Sequence, residues 1–555
     1  MGRRLQRRAL LVATLALVPL AYPALASDAA RPPGGTNEGG HTLLVSLPGP
    51  FSGCTYLDQA ATASDDALND LVTPSAFTTL PTGVLVGESG PIASAELTSL
   101  SPETVRYSVA PHQRWSDGRA FSARDLIAWW QRARQLASVA SDGYRAISSM
   151  RISDHGLVAT AVFGHPYATW TLLFRDVEAP TASAGCSIAA FAARPTLGPY
   201  RVASATPTRV VLTSNPHWPL DPNRFGRLVI TTSRVLPKSV ATPYAAFSTT
   251  VNQAEVLATT SDPAVSSRIG SASGIEELTL SPRSVTTAPI AVREALSWAI
   301  VRQGLINAIY GSFTYEPAAA QSALYSQGQA QYPGFGGTNP ANTTTTTTVP
   351  DATTNGLHDC PACAVQVLSA NGYTQGTHAW FSPQGRRLVV RLAIGPSHLD
   401  HSVAHLVERD WAHLGIAAVS VPEPTEVATA LAVAAGRVDA GVLVRPTIEG
   451  PSYTARSFVG PAYPDTYPSG VRLAGVVDLY NTAIANFNPA TATSSWLSLD
   501  RDVMDLFWVR PLFTPPSLEV WSTQLSIVAP TFSAPSFLDQ VPTWTVLPPT
   551  TTGYT

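Results

Sequence analysis

The chain has 555 residues, 45% of them hydrophobic and 13% charged, with a formal net charge of −3. So many apolar residues can fill more core than one body usually organises, and two or three lobes are expected. Beyond the first eight residues no basic patch of lysine and arginine appears, so no nucleic-acid partner is expected.

The N-terminus carries the first signal. Arg3, Arg4, Arg7 and Arg8 precede an apolar run from Ala9 to about Leu20, and Ala24-Leu25-Ala26 supplies a small-x-small cleavage pattern. That order predicts an export signal over residues 1–26. Arg7-Arg8-Ala9-Leu10-Leu11 also loosely suits a twin-arginine signal. An uncleaved anchor is the competing reading, because the apolar run approaches bilayer-spanning length. Pro19, Pro23 and the Ala-x-Ala site favour cleavage. No other stretch is long and apolar enough to span a bilayer, so the mature chain is expected to be soluble and extracytoplasmic.

Residues 27–40 are rich in proline and glycine and read as a linker. His41 to Leu47 alternates as a strand that opens the folded body. Val105 to Val109 is a second strand of period two, and a helix starts near Phe121, with Ser122 and Asp125 spaced as a capping box. Short strands follow at Arg201-Val202, Val210-Val211-Leu212 and Leu228-Val229-Ile230. A single helix is expected from Ala291 to about Tyr310, ending at Gly311. Residues 335–356 are of low complexity, and the run Thr343–Thr348 has nothing apolar to bury, so a surface loop is expected. Then come a helix from about Cys363 to Ala370, a strand from Leu388 to Ile394, a helix from about Ser397 to Leu414, and a strand after Gly415. The alternation argues for an α/β protein without internal repeats.

Four cysteines in an exported chain favour disulfides. Cys360 and Cys363 can close a local loop, which leaves Cys54 for Cys186. A CxxC also suits a thioredoxin-like redox site or half a zinc site, but those need a strand-to-helix context or a second ligand pair.

The segment Val105 to Leu126 reads V-R-Y-S-V-A-P-H-Q-R-W-S-D-G-R-A-F-S-A-R-D-L. It resembles the strand–turn–helix signature of the family-5 extracellular solute-binding proteins, the peptide/nickel-type receptors of ABC importers. Asp117-Gly118 makes the turn, Trp115 packs beneath it, and Ser122 with Asp125 caps the helix. Further stretches resemble the same family in collinear order. They are Leu197 to Val202 with Asn215-Pro216-His217-Trp218, then Val292 to Arg302, then Ala370 to Tyr373 with Gly385 to Leu388 and His413 to Ile416. Val301 stands where the family pattern has aspartate.

The resemblance implies an α/β, two-lobed periplasmic-binding-protein-like fold of type II, with crossing hinge strands and a solute buried in the cleft between lobes. The implied divisions are lobe 1 over 41–276 with an extra subdomain at about 75–190, lobe 2 over 277–445, and 446–555 as the end of lobe 2 and return to lobe 1. The first crossing is placed near Glu276 to Leu280 and the return near Val442 to Arg445. The implied partners are a small-molecule or peptide solute and an ABC permease–ATPase complex, through which alone the protein meets the membrane. A monomer without cofactor is expected.

Two departures from the family pattern bear on function. No cysteine follows the signal, so a lipid anchor is not expected. The stretch Val444 to Pro451 lacks the Trp-x-x-Asp-Tyr-type segment whose carboxylate holds a peptide's amino terminus in peptide-binding relatives. In its place Arg445 offers a planar fork for a carboxylate, Glu449 can meet an amine and Tyr453 can stack, so these three are the candidate ligand contacts. Losing Arg445 is expected to weaken binding without lowering the stability of the empty protein.

An enzyme reading lacks its motifs: there is no Gly-x-Ser-x-Gly, no His-Glu-x-x-His and no phosphate-binding glycine loop. His398, His401, His405 and Glu408 share a helix face, where His401 and His405 have the spacing to chelate Ni2+ or Zn2+. A solvated face opposite Val403, Leu406, Val407 and Leu414 is the favoured reading. A cell-envelope scaffold or accessory protein reusing the fold is a further alternative to the receptor.

Overall fold

The computed structural model describes residues 41–547 apart from a set of stretches, chief among them 80–84, 137–140, 182–185, 219–224, 233–242, 334–354, 460–473 and 528–537. The export signal, the 27–40 linker and the run Thr343–Thr348 lie outside the described residues.

The body opens with β1 (His41–Ser46), whose alternation turns Leu43 and Val45 into a core. The chain then builds a subdomain. It comprises β2 (Ile92–Leu100), β3 (Glu103–Val109), α1 (Ala123–Ala133), α2 (Asp142–Ala146), β4 (Ile147–Ser153) and β5 (Val158–Phe163). Its strands form an antiparallel sheet in the order β2-β3-β5-β4. The Trp-x-Asp-Gly motif is a packed unit within it. Gly118 takes φ of +86°, a turn conformation that favours glycine. Trp115 is fully buried, edge-on to Phe121 at 5.4 Å, and its indole N–H donates to Asp125 over 3.2 Å. Ser122 and Asp125 close the capping box at the start of α1.

The chain returns through β6 (Tyr200–Thr206), β7 (Arg209–Ser214), β8 (Phe225–Thr231), β9 (Tyr244–Ser248) and β10 (Val265–Ser271). β1 lies parallel between β8 and β9 at the centre of this sheet. Lobe 2 follows with β11 (Gly274–Leu280), α3 (Ile290–Trp298), α4 (Arg302–Tyr310), α5 (Pro361–Ala370), β12 (Val389–Ile394), α6 (His398–His413), β13 (Ala417–Pro422), α7 (Glu426–Ala434) and β14 (Ala440–Pro446). Helices α8 (Pro451–Val459), α9 (Ala474–Ile484) and α10 (Pro489–Asp505) precede β15 (Val509–Phe513). Last, β16 (Pro516–Ser522) rejoins the first sheet, giving the order β10-β16-β9-β1-β8-β7-β6 there and β13-β12-β14-β11-β15 in lobe 2.

Two expectations are corrected. The helix drawn from Ala291 to Tyr310 is two helices, broken before Arg302. Val301 is extended at φ −97° and ψ 93° and has no side-chain oxygen with which to cap α4. Arg302 turns inward instead, bonding Asp359 at 3.0 Å and the carbonyls of Ala320 and Leu357 at 2.6 and 2.8 Å. The crossings also differ. The first falls between Ser271 and Gly274, and the return between Phe513 and Pro516 rather than at Val442 to Arg445. β14 stays in the lobe 2 sheet because its whole length pairs with β11, from Leu280↔Ala440 to Gly274↔Pro446.

The cysteines pair as Cys54 with Cys186 and Cys360 with Cys363, at Cα separations of 4.4 and 5.2 Å. The first bridges 132 residues of sequence and the second three. Cross-linking distant segments removes more freedom from the unfolded chain, in the chain-entropy account about 2–4 kcal/mol. Cys54→Ala is therefore expected to lower the melting temperature more than Cys363→Ala. Equal losses in a calorimetric scan would contradict this.

Candidate functional site

The lobes are joined by two strands that cross side by side. β10 continues into β11 while β15 continues into β16, with Ser271 opposite Pro516 in one sheet and Glu276 opposite Phe513 in the other. At the crossover the Ala272 N–H donates to the Pro515 carbonyl over 2.8 Å. Such paired crossings concentrate bending at a few residues and define a hinge.

Arg445, the leading ligand candidate, sits on β14 opposite Ile275 of the crossing strand. Strand alternation places Ile275 and Glu277 on one face, so the guanidinium meets a carboxylate of its own chain. It donates to both oxygens of Glu277, over 2.9 and 2.7 Å, with Arg445 4% exposed and Glu277 fully buried. Its other face lies 4.6 Å above the ring of Phe458 on α8. β14 ends at Pro446, and Thr447 is then fixed by Gln329, whose amide donates to its carbonyl over 3.1 Å. Tyr453 lies on α8, half-buried; Glu449 lies outside the described residues.

This geometry changes what loss of Arg445 does. Removing one partner of a buried pair leaves the other charge uncompensated, at about 3–5 kcal/mol. Arg445→Ala is thus expected to destabilise the empty protein, in contrast with the neutrality expected from sequence. Arg445→Ala combined with Glu277→Leu should recover much of the loss. A thermal melt of Arg445→Ala matching the unmodified protein would show that the pair contributes nothing.

A second feature at the hinge escaped sequence reading. Glu276 points to the opposite face from Glu277 and is fully buried, with no hydrogen bond to either carboxylate oxygen among the described residues. Asp400 from the first turn of α6 and Glu426 from the first turn of α7 face it electrostatically. Those helices start at the carboxyl ends of β12 and β13, the edge where α/β sheets ordinarily bind ligands. Gly395 makes room there: a Cβ at that position would lie 2.6 Å from both Asp400 Oδ2 and Glu426 Oε2. Burial, then the charges of Asp400, Glu426 and Glu277, holds the Glu276 carboxyl well above the usual range. Burial and the neighbouring Asp400 push Glu426 up to about 9. Burial also raises Asp400, against the hydrogen bonds it receives from Ser397. The legible traces were the Glu276-Glu277 doublet in an otherwise apolar strand and the acidic first turns of both helices.

A carboxyl raised on folding contributes its full share of stability below its unfolded value and loses it as pH rises towards the folded one. For Glu426 that window runs from about 4.3 to about 9. Glu426→Gln is expected to flatten the fall in stability between pH 5 and pH 8, by roughly 1–3 kcal/mol. Parallel pH profiles of melting temperature for variant and parent would refute the assignment.

On α6, His398, His401 and His405 are exposed, while Val403 and Val407 are buried and Leu406 and Leu414 are half-buried against the lobe 2 core. Glu408 accepts a hydrogen bond from Ser420. Among the described residues no group of three histidine, cysteine or acidic side chains has metal-holding geometry. No helix among them is long and apolar enough to cross a membrane.

Two α/β lobes, two adjoining crossings and an acidic hinge edge define a two-lobed periplasmic-binding-protein fold. Solved structures of that kind superpose on nearly the whole chain. The periplasmic EDTA-binding protein EppA has a TM-score of 0.76 at 19% identity, covering 93% of this chain and 98% of its own. NikZ from Campylobacter jejuni in complex with Ni(L-His) has a TM-score of 0.71 at 14% identity, covering 91% and 99%. The oligopeptide-binding protein AppA from Bacillus subtilis in complex with a nonapeptide has 0.69 at 10%, covering 92% and 99%. At such identities the likeness is one of fold.

The pattern of the bacterial extracellular solute-binding proteins, family 5 Middle, matches residues 94–455, and the chain belongs to that family. Curated relatives align over shorter segments. The probable monoacyl phosphatidylinositol tetramannoside-binding protein LpqW of Mycobacterium tuberculosis is 34% identical over 119 residues, 20% of this chain and 19% of LpqW. The oligopeptide-binding protein OppA of Mycobacterium bovis is 31% identical over 161 residues, 26% of this chain and 27% of OppA. The matched segments thus span about a fifth to a quarter of those relatives' length.

Proposed function

We propose that this protein is the extracytoplasmic solute receptor of an ABC importer, exported by residues 1–26, closing its lobes on a small solute and presenting it to a permease–ATPase complex. The observation that carries the reading is the pair of adjoining crossings that joins two lobes in a chain of this family. The chemistry is capture rather than turnover.

The solute class follows from the charges at the hinge. Arg445 spends the Nε/Nη2 edge of its guanidinium on Glu277, so a solute carboxylate must displace an internal partner to take that edge. Glu276, Asp400 and Glu426 stand at the same hinge, with no basic residue bonded to Glu276 among the described residues. This weighs for a peptide or related solute whose amino group meets the acidic edge. The likeness to LpqW favours one second reading, an accessory envelope protein that handles a glycolipid.

The test is to purify the protein from culture of its source, denature it, and identify the released small molecules by mass spectrometry. Peptides or amino-group-bearing solutes that rebind the refolded protein with one-to-one stoichiometry are expected. Recovery of an acylated glycolipid instead would overturn the importer reading.

A further inference from the structure

Among the described residues the chain passes between the lobes at Ser271–Gly274 and Phe513–Pro516, so lobe-to-lobe contacts elsewhere form on closing and break on opening. One group of such contacts joins the subdomain of lobe 1 to helices α8 and α9 of lobe 2. Arg456 of α8 forms an ion pair with Asp142 of α2, and its guanidinium lies 5.7 Å from the ring centre of Tyr480 on α9. The Ala168 N–H donates to the Ile484 carbonyl over 2.7 Å. Ile484 ends α9, so that carbonyl is one the helix itself leaves without a donor. Between these two bonds Tyr167 packs against both the subdomain core and the helical core of lobe 2.

We infer that Asp142, Tyr167 and Ala168 on one lobe, with Arg456, Tyr480 and Ile484 on the other, form a latch that sets how much of the receptor is closed. Its composition suits repeated release. Asp142 is shared with Arg145 of its own helix, at 2.7 Å, so opening does not leave the carboxylate alone. Ile484 and Arg456 pass to water, and Tyr167 gives up one of its two packing surfaces. The side chains of Arg456 and Asp142 are 15% and 17% exposed, so the pair is only partly shielded and salt weakens it. The latch also reaches the hinge, because α8 carries Phe458, two residues beyond Arg456, beneath the Arg445–Glu277 pair. Arg456 and Asp142 are therefore positioning residues for solute capture.

Amide hydrogen exchange of the full, solute-free protein tests this, since the Ala168 N–H is protected only while the lobes are closed. Arg456→Gln and Asp142→Asn are each expected to speed exchange at Ala168 about five- to ten-fold and to enlarge the radius of gyration in solution scattering. Exchange at Tyr107, in the subdomain sheet, should stay unchanged, and Arg456→Lys should restore part of the protection. In the unmodified protein, raising salt from 0.05 to 0.5 M is expected to act at Ala168 in the same direction, roughly two-fold. Unaltered exchange at Ala168 in both variants overturns the latch, as does acceleration shared equally by Tyr107, which marks loss of fold instead of opening. The salt arm uses no variant, so a folding defect cannot imitate it. Because no solute enters the experiment, its failure leaves the receptor reading standing, and the reverse also holds.

Discussion

The Arg445–Glu277 pair is the constraint around which the rest of the hinge is arranged. Two charges taken out of water are tolerated only when each satisfies the other with good geometry, and here the guanidinium grips both carboxylate oxygens. The pair fixes β14 against the crossing strand β11, and the register between them then runs without a break from Gly274 to Leu280. It also presents a flat cation to Phe458, which seats α8 over the hinge. Sheet, crossing strand and covering helix are thereby held by one buried contact.

On the other face of the same strand the electrostatics are reversed. Among the described residues no hydrogen bond reaches the Glu276 carboxylate oxygens, and burial, then the neighbouring Asp400, Glu426 and Glu277, raises its carboxyl well above the usual range. Adjacent residues of one strand thus occupy opposite charge environments, because successive side chains point to opposite faces of a sheet. The acidic side lies where α6 and α7 begin, and each helix start already places an acidic residue in its first turn. Helix N-termini normally stabilise such carboxylates. Here burial and mutual repulsion outweigh that benefit, since Asp400 and Glu426 meet in the space beside Gly395.

Hinge and latch differ in the physics of their contacts. The crossings hold the lobes together with backbone hydrogen bonds and define the axis of motion. The contacts at Asp142–Arg456 and Ala168–Ile484 join the lobes away from the crossing strands themselves. A few partly exposed contacts shift an equilibrium between open and closed forms by only a modest amount.

The sequence by itself determined what local physics controls. The capping box of Ser122 and Asp125, the buried Trp115 beneath its glycine turn, the helix starting at Ser397 and the pairing of the four cysteines are all as read. Each depends on residues close together or on a count that leaves few choices, and the collinear motifs carried the fold with them. What tertiary structure alone decided is where strands cross and which charges meet. A strand such as 440–446 reads the same whether it stays in its sheet or leaves it, because pairing with Gly274–Leu280 is invisible at a separation of more than 160 residues. For that reason Arg445 read as a ligand anchor in the cleft, and its buried pairing with Glu277 was not legible. Asp400 and Glu426 at Gly395, with Glu276 in their field, met only once the sheet and its helices were assembled.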